Sequence, residues 1–185
     1  MYVAVDLEWL NITYGKAADD ITNSRESFVT FLEQALAPFG RAEKAGTATI
    51  VFFDAARDFF RVRQHESLRQ AGFDVRIGMI AERKSRKTGK IEYIQKGVDV
   101  LLTIGVLHES FKGGDDFLLL TGDSDFEPLV RELKGRGARV AVAYKRLVNE
   151  ALVRAADAAY KLPEVEHGVS CLESDESDRK AREAQ

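Results

Sequence analysis

Leu118-Leu119-Leu120-Thr121-Gly122-Asp123-Ser124-Asp125-Phe126 is an apolar run that stops at a glycine, presents two carboxylates two residues apart and then enters a helical pattern. An apolar run of this length between turn signals predicts a buried parallel strand. Ligands of an open parallel sheet sit outside the carboxyl ends of its strands. Two acids placed there repel one another unless a cation lies between them. The doublet therefore predicts a divalent-cation site whose other ligands come from elsewhere in the chain.

Outward from this stretch, strand and helix signals alternate. Tyr2 to Leu7 is a short apolar run with Asp6 near its end, Thr47 to Asp54 is β-branched and aromatic, and Phe73 to Ile80 and Arg139 to Tyr144 have the same character. Each predicts a strand. Phe28, Phe31, Leu32, Ala35, Leu36 and Phe39 form the stripe of a core-facing helix, capped near Asn23 or Ser24. Helices are also expected over Ala55 to Gln70, Gln95 to Phe111, Phe126 to Lys134 and Glu150 to Ala159, with Tyr160 to Leu162 as a closing strand. Leu10 to Asp20 is polar and contains Gly15, which predicts a loop. Such alternation predicts a three-layer α/β fold, with a mainly parallel central sheet of about five strands flanked by helices.

The 185 residues suit one domain, and 45% hydrophobic with 31% charged residues is ordinary for a globular protein. No apolar run approaches the ~18–20 residues of a membrane span, and no signal-peptide pattern opens the sequence. Cys171 is the single cysteine, which excludes an intrachain disulfide and a cysteine-based zinc site and suits a cytoplasmic location. The net charge of −3 taken alone argues against nucleic acid. Residues 163–185, however, hold seven acids and three bases, leaving 24 bases and 23 acids in residues 1–162, a net of +1. The expected organisation is a domain over 1–162 and an acidic tail over 163–185 that is disordered toward its end. Local patches then inform more than the total.

Asp6 ends the first strand, Asp123 and Asp125 follow the fourth, and Asp99 lies one turn into the helix after the third strand unit. With the first strand central, all four carboxylates reach one sheet edge. A cluster of aspartates without His or Cys suits Mg²⁺ or Mn²⁺ rather than zinc. Such ions act on phosphates and activate water, which points to a phosphodiesterase or nuclease. Plainer roles stand beside these. Asp123 and Asp125 are also helix-capping acids, and Asp99 an acid near a helix N-terminus. Asp54 resembles Asp6 in context, but Asp-Ala-Ala-Arg is a good helix start and capping is the expected role. Ser124 caps its helix or meets a phosphate, and Lys96 contacts phosphate or solvent. The run from Arg83 to Lys90 places five bases in eight residues, Arg83, Lys84, Arg86, Lys87 and Lys90, and is expected to guide RNA from a hairpin tip. His65, His108 and His167 show no ligand spacing, and Trp9 stacks a base or fills a gap.

The blocks Lys96-Gly97-Val98-Asp99-Val100 and Thr121-Gly122-Asp123-Ser124-Asp125-Phe126, with Pro128-Leu129-Val130 behind the second, are specific in order and spacing. With Asp6 and Asn11 before them, and Leu152 and Ala156-Asp157 after, the chain resembles the NYN domain, in the LabA-like branch of the PIN-like nuclease superfamily, from about Tyr2 to Leu162. The resemblance implies a PIN-like sheet and a metal-dependent ribonuclease site. Asp6, Asp99, Asp123 and Asp125 would hold Mg²⁺ or Mn²⁺. Asn11, Lys96, Ser124, Arg83, Lys84, Arg86 and Lys87 would meet single-stranded or structured RNA, with homodimer formation left open. Two positions depart from the family pattern. Asn11 follows Asp6 by five residues rather than about three, and Gly105 stands where the helix often carries a second Asp, with Glu8 near in sequence. The alternative is therefore an inactive relative that binds RNA or a protein partner. A receiver-like signalling domain would use Lys145, but the third strand ends without the phosphoacceptor Asp it needs.

Overall fold

The computed structural model describes residues 1–55, 59–85, 89–145 and 150–165. Strand β1 (Tyr2–Asp6) passes directly into helix α1 (Leu7–Tyr14), because the Asp6 carboxylate accepts the Trp9 N–H at 3.0 Å and caps the helix. Helix α2 (Ala17–Thr22) follows after Gly15. The segment expected as a loop is thus helical. Leu10, Tyr14, Ala17, Ala18 and Ile21 recur at helical spacing among polar residues, and all five are buried. Ser24 caps α3 (Arg25–Leu36) through the Ser27 N–H, as its sequence predicts. A 3₁₀ turn, Ala37–Phe39, and the one-turn helix α4 (Glu43–Gly46) lead to β2 (Thr49–Asp54). Helix α5 (Phe59–Gln70) then returns to β3 (Asp74–Ile77).

The expected third strand breaks at Gly78. Its N–H donates to the Asp54 carbonyl at 2.8 Å, closing the sheet, and an added Cβ there would lie 2.9 Å from the Lys96 carbonyl oxygen. Only glycine admits so close an approach. Beyond it the chain leaves the sheet as β4 (Met79–Lys84), which pairs antiparallel with β5 (Ile91–Lys96) in a separate ribbon. The helix expected from Gln95 starts only at α6 (Val98–Phe111), after Gly97 turns the chain at φ 78°. Then follow β6 (Asp116–Leu120), a 3₁₀ turn Ser124–Phe126, α7 (Glu127–Gly135), β7 (Arg139–Tyr144), α8 (Glu150–Ala155) and β8 (Ala158–Lys161).

Among the described residues the central sheet has six strands rather than about five, in the order β3-β2-β1-β6-β7-β8, all parallel. Strand alternation sorts its side chains to two faces. Val3, Val5, Phe52, Leu118 and Leu120 pack under α1, α2 and α3, where Phe28, Phe52 and Phe73 meet edge to face. Tyr2, Ala4, Phe53, Phe117 and Leu119 pack under α6, α7 and α8. This is a three-layer α/β fold. The chain winds outward from β1 to one side and from β6 to the other, so the crevice at their carboxyl ends is the natural ligand position. No helix among the described residues is long and apolar enough to cross a membrane.

Contacts continue past Leu162. Tyr14 Oη donates to the Pro163 carbonyl at 2.7 Å, and Lys145, buried at the end of β7, pairs with Glu164 at 3.1 Å. Residues 166–185, the rest of the expected tail, lie outside the described residues.

At the opposite sheet edge, Asp116 is buried and accepts from Arg41 at 2.6 and 2.7 Å and from Lys44 at 2.7 Å, while Arg41 also donates to Tyr160 Oη at 2.8 Å. Burial alone would raise the Asp116 carboxyl, but these hydrogen bonds and charges hold it below the usual carboxylate range. Such a group stabilises the fold above its unfolded-state pKa, and the contribution disappears as pH falls through the lowered folded value. Asp116→Ala is therefore expected to cost about 2–4 kcal/mol in urea unfolding at pH 7. The gap to wild type should close in strong acid.

Candidate functional site

Parity along the strands decides which acids meet. Asp6 follows Tyr2 and Ala4 on the α6 face, and Thr121 follows Phe117 and Leu119 on the same face. Thr121 is fully buried; its hydroxyl donates to Asp6 Oδ2 at 3.3 Å and accepts the Asp123 N–H at 3.2 Å. One side chain thus ties the end of β1 to the loop after β6. Asp123 in turn accepts the Asp125 N–H at 2.9 Å, starting the 3₁₀ turn. Asp99 enters from the first turn of α6.

Asp6, Asp99 and Asp123 line one cavity of about 450 Å³, together with Glu8, Trp9, Ile12, Gln95, Gly97, Val98 and Gly122. Among the described residues this lining has four carboxylates and no lysine or arginine. Burial, reinforced by the charges of Asp99 and Glu8 and opposed by the Trp9 and Thr121 hydrogen bonds, pushes Asp6 up to about 6. Burial and then the charges of Asp123 and Asp125 push Asp99 above the usual carboxylate range. The neighbouring acids thus disfavour the charged forms of Asp6 and Asp99.

The donor set fits a hard divalent ion: carboxylate oxygens, with no thiol or imidazole in the lining. Among the described residues no group of three Asp, Glu, His or Cys is already drawn together tightly enough to hold an ion. Magnesium characteristically keeps several of its waters and reaches carboxylates through them, so it does not need such a cage.

The other site candidates fall in different places. Asp125 is exposed and outside the cavity lining, although its charge acts on Asp99. Ser124 opens the 3₁₀ turn, its carbonyl accepting the Glu127 N–H. Asn11 is turned from the acid cavity toward α5, where it exchanges hydrogen bonds with Gln64 at 3.0 and 3.1 Å. Lys96 is exposed at the end of β5, and Arg83 and Lys84 are exposed on the outer half of β4. Arg86 and Lys87 lie outside the described residues. Trp9 packs against the core, as a gap-filling residue would, and also lines the cavity.

Two expectations change. Asp54 is no simple helix cap: it is fully buried, 2.7 Å from His65 Nε2, and accepts from Arg61 at 2.8 Å. Its register explains why it is not in the acid cavity. Asp6 pairs with Phe53, so Asp54 projects to the opposite sheet face. Gly105 does not mark a vacant ligand position. An added Cβ would lie 2.9 Å from Phe53 Cζ and 2.8 Å from Arg76 Nη1, and the Phe53 ring is fully buried. The glycine is there so that α6 can approach β2. Sequence reasoning missed Thr121, Gln95, His65 and Arg61. Only Thr121 had a local signal, its place between a buried strand and the acid doublet.

Two substitutions test this geometry. Asp6→Asn keeps a good helix cap but removes the charge. Because the folded pKa is raised, Asp6 favours folding in acid and loses that contribution as pH rises through about 6. In metal-free buffer at pH 7.5 the variant should be more stable than wild type by about 1–2 kcal/mol, and the difference should vanish near pH 4. Thr121→Val leaves the Asp123 N–H and one Asp6 oxygen without their partner, and thermal unfolding should show a loss of about 1–3 kcal/mol.

The NYN domain family model matches residues 2–163. A solved structure of a Vibrio parahaemolyticus protein of unknown function superposes with a TM-score of 0.56 at 22% identity, covering 88% of this chain and 92% of that one. It has the same fold. Phosphoserine phosphatase in its apo form aligns at a TM-score of 0.36 and 10% identity, over 85% of this chain and 92% of that one, and carries no argument. No curated protein sequence matches the chain. The match runs from the first residue of β1 to just past β8, taking in both strand ends that carry the acids, and on that extent the chain belongs to the NYN domain family.

Proposed function

We propose that the chain is a divalent-metal-dependent ribonuclease that hydrolyses RNA phosphodiester bonds. The observation that carries this reading is the convergence of Asp6, Asp99 and Asp123, from three separated segments, on one cavity lined by no basic side chain among the described residues. Asp6, Asp99 and Asp123 are the residues that would hold Mg²⁺ or Mn²⁺, in part through water, with Asp125 contributing charge from outside the lining. When bound, the ion supplies positive charge beside the phosphodiester and makes an attacking water more acidic.

The chain's own residues set up that chemistry. Thr121 fixes the Asp6 carboxylate and the Asp123 backbone in one arrangement, so neither must reorganise when the substrate arrives. Glu8, in the same lining, would orient a water or accept its proton. The order of the Lys96–Val100 and Thr121–Phe126 blocks supports the LabA-like branch, and family membership supports RNA as the substrate.

The test is cleavage of a mixed RNA pool with Mg²⁺ or Mn²⁺. Asp123→Asn should lower the rate at least about 100-fold. Equal cleavage by the variant and wild type overturns the site assignment. RNA that binds wild type but stays intact with either ion would make the chain an RNA-binding module instead.

A further inference from the structure

We infer, building on that reading of the acid cavity, that the groove beside it is a second nucleotide subsite, which holds the residue of a single-stranded RNA next to the phosphodiester at Asp6 and Asp123. The starting point is a buried cluster that the proposed chemistry does not use. Asp54 is fully buried and His65 is 2% exposed. Asp54 Oδ2 lies 2.7 Å from His65 Nε2, and Oδ1 accepts from Arg61 Nη2 at 2.8 Å. Asp54, itself held by His65, therefore anchors the guanidinium. Its Nη1 faces Glu8 at 3.7 Å. Glu8, with Ile12, belongs to the walls of both the acid cavity and the neighbouring groove.

That groove has a volume of about 670 Å³ and runs between α1–α2 and α5. The volume suits a small polar ligand such as one nucleotide. Arg61, Arg63 and Lys16 line it against the carboxylates of Glu8 and Asp19, so basic side chains outnumber acidic ones here where the neighbouring cavity has acids alone. A polyanion whose scissile phosphate sits against the acid cavity with its ion needs positive charge for its next phosphate. Arg61 stands at that junction, held in place before any strand arrives.

The rest of the groove offers means to hold a base. Asn11 and Gln64 exchange two hydrogen bonds across it, and Gln64 also donates toward Asp19 at 3.2 Å and Thr22 at 3.3 Å. These amides are fixed, and each carbonyl oxygen retains a second lone pair for a base edge or a ribose hydroxyl. Ile12 is 77% exposed on the shared rim, an apolar surface where a base can lie. Apolar rim, locked amides and a surplus of basic side chains in one concave site match a nucleotide better than a peptide.

The test uses Lys16→Glu/Arg63→Glu, two exposed positions whose exchange leaves the core untouched. Affinity for a fluorescent single-stranded RNA decamer is measured by anisotropy in excess EDTA, with Lys112→Glu at the far end of α6 as the control. The double variant should bind at least about tenfold more weakly, and the control should match wild type. Unchanged affinity in the double variant overturns the subsite even if wild type cleaves RNA, and so does a wild type that binds no RNA. If wild type never cleaves with either ion while the double variant loses affinity, the subsite stands and the nuclease reading falls.

Discussion

A single buried hydroxyl decides whether the acids of this protein form a site or remain scattered. Thr121 joins the last residue of β1 to the loop after β6, donating to one and accepting from the other. Without it, two strand ends would present carboxylates with no shared orientation. The parallel pairing of Tyr2 with Phe117 through Val5 with Leu120 brings the two ends level. Everything else at the carboxyl edge, including the cap of α1 and the position of Asp123, is referenced to that link.

The sheet also separates two kinds of charge chemistry by face. On the α6 face, acids are left facing one another, and burial raises Asp6. On the opposite face, Asp54 is no less buried, yet a guanidinium and an imidazole attend it. One residue of register separates the two environments. The contrast is informative: where the fold needs a neutralised carboxylate it provides the partners, as it does again at Asp116. In the acid cavity only Glu8 meets a guanidinium, that of Arg61; Asp6, Asp99 and Asp123 have no such partner among the described residues, and the proposed cation would complement them.

Much of this could be read from the residues in order. The parallel sheet, the central place of β1 and the meeting of Asp6, Asp99 and Asp123 follow from apolar runs ending in acids and from the rule that places ligands at a switch point. What escaped was of two physical kinds. Local periodicity was missed where polar residues diluted it, as in α1 and α2, or where a glycine split a continuous apolar run, as at Gly78. Pairwise register was invisible: the partnership of Asp54 with His65, the turning of Asn11 toward Gln64 and the packing of Gly105 under Phe53 depend on which elements lie side by side. No single segment contains that information.

The link through Thr121 also spans 115 residues of chain, and β2 lies between its ends in sequence. Parallel pairing over such separations closes large loops before any contact rewards the cost, so it is late to form. A ribosome delivering this chain releases Asp6 long before Asp123. Until β6 emerges, β1 lacks one of its two neighbours and the acid cavity has only one side. The layout thus delays closure of the acid cavity until the two central strands of the sheet have paired.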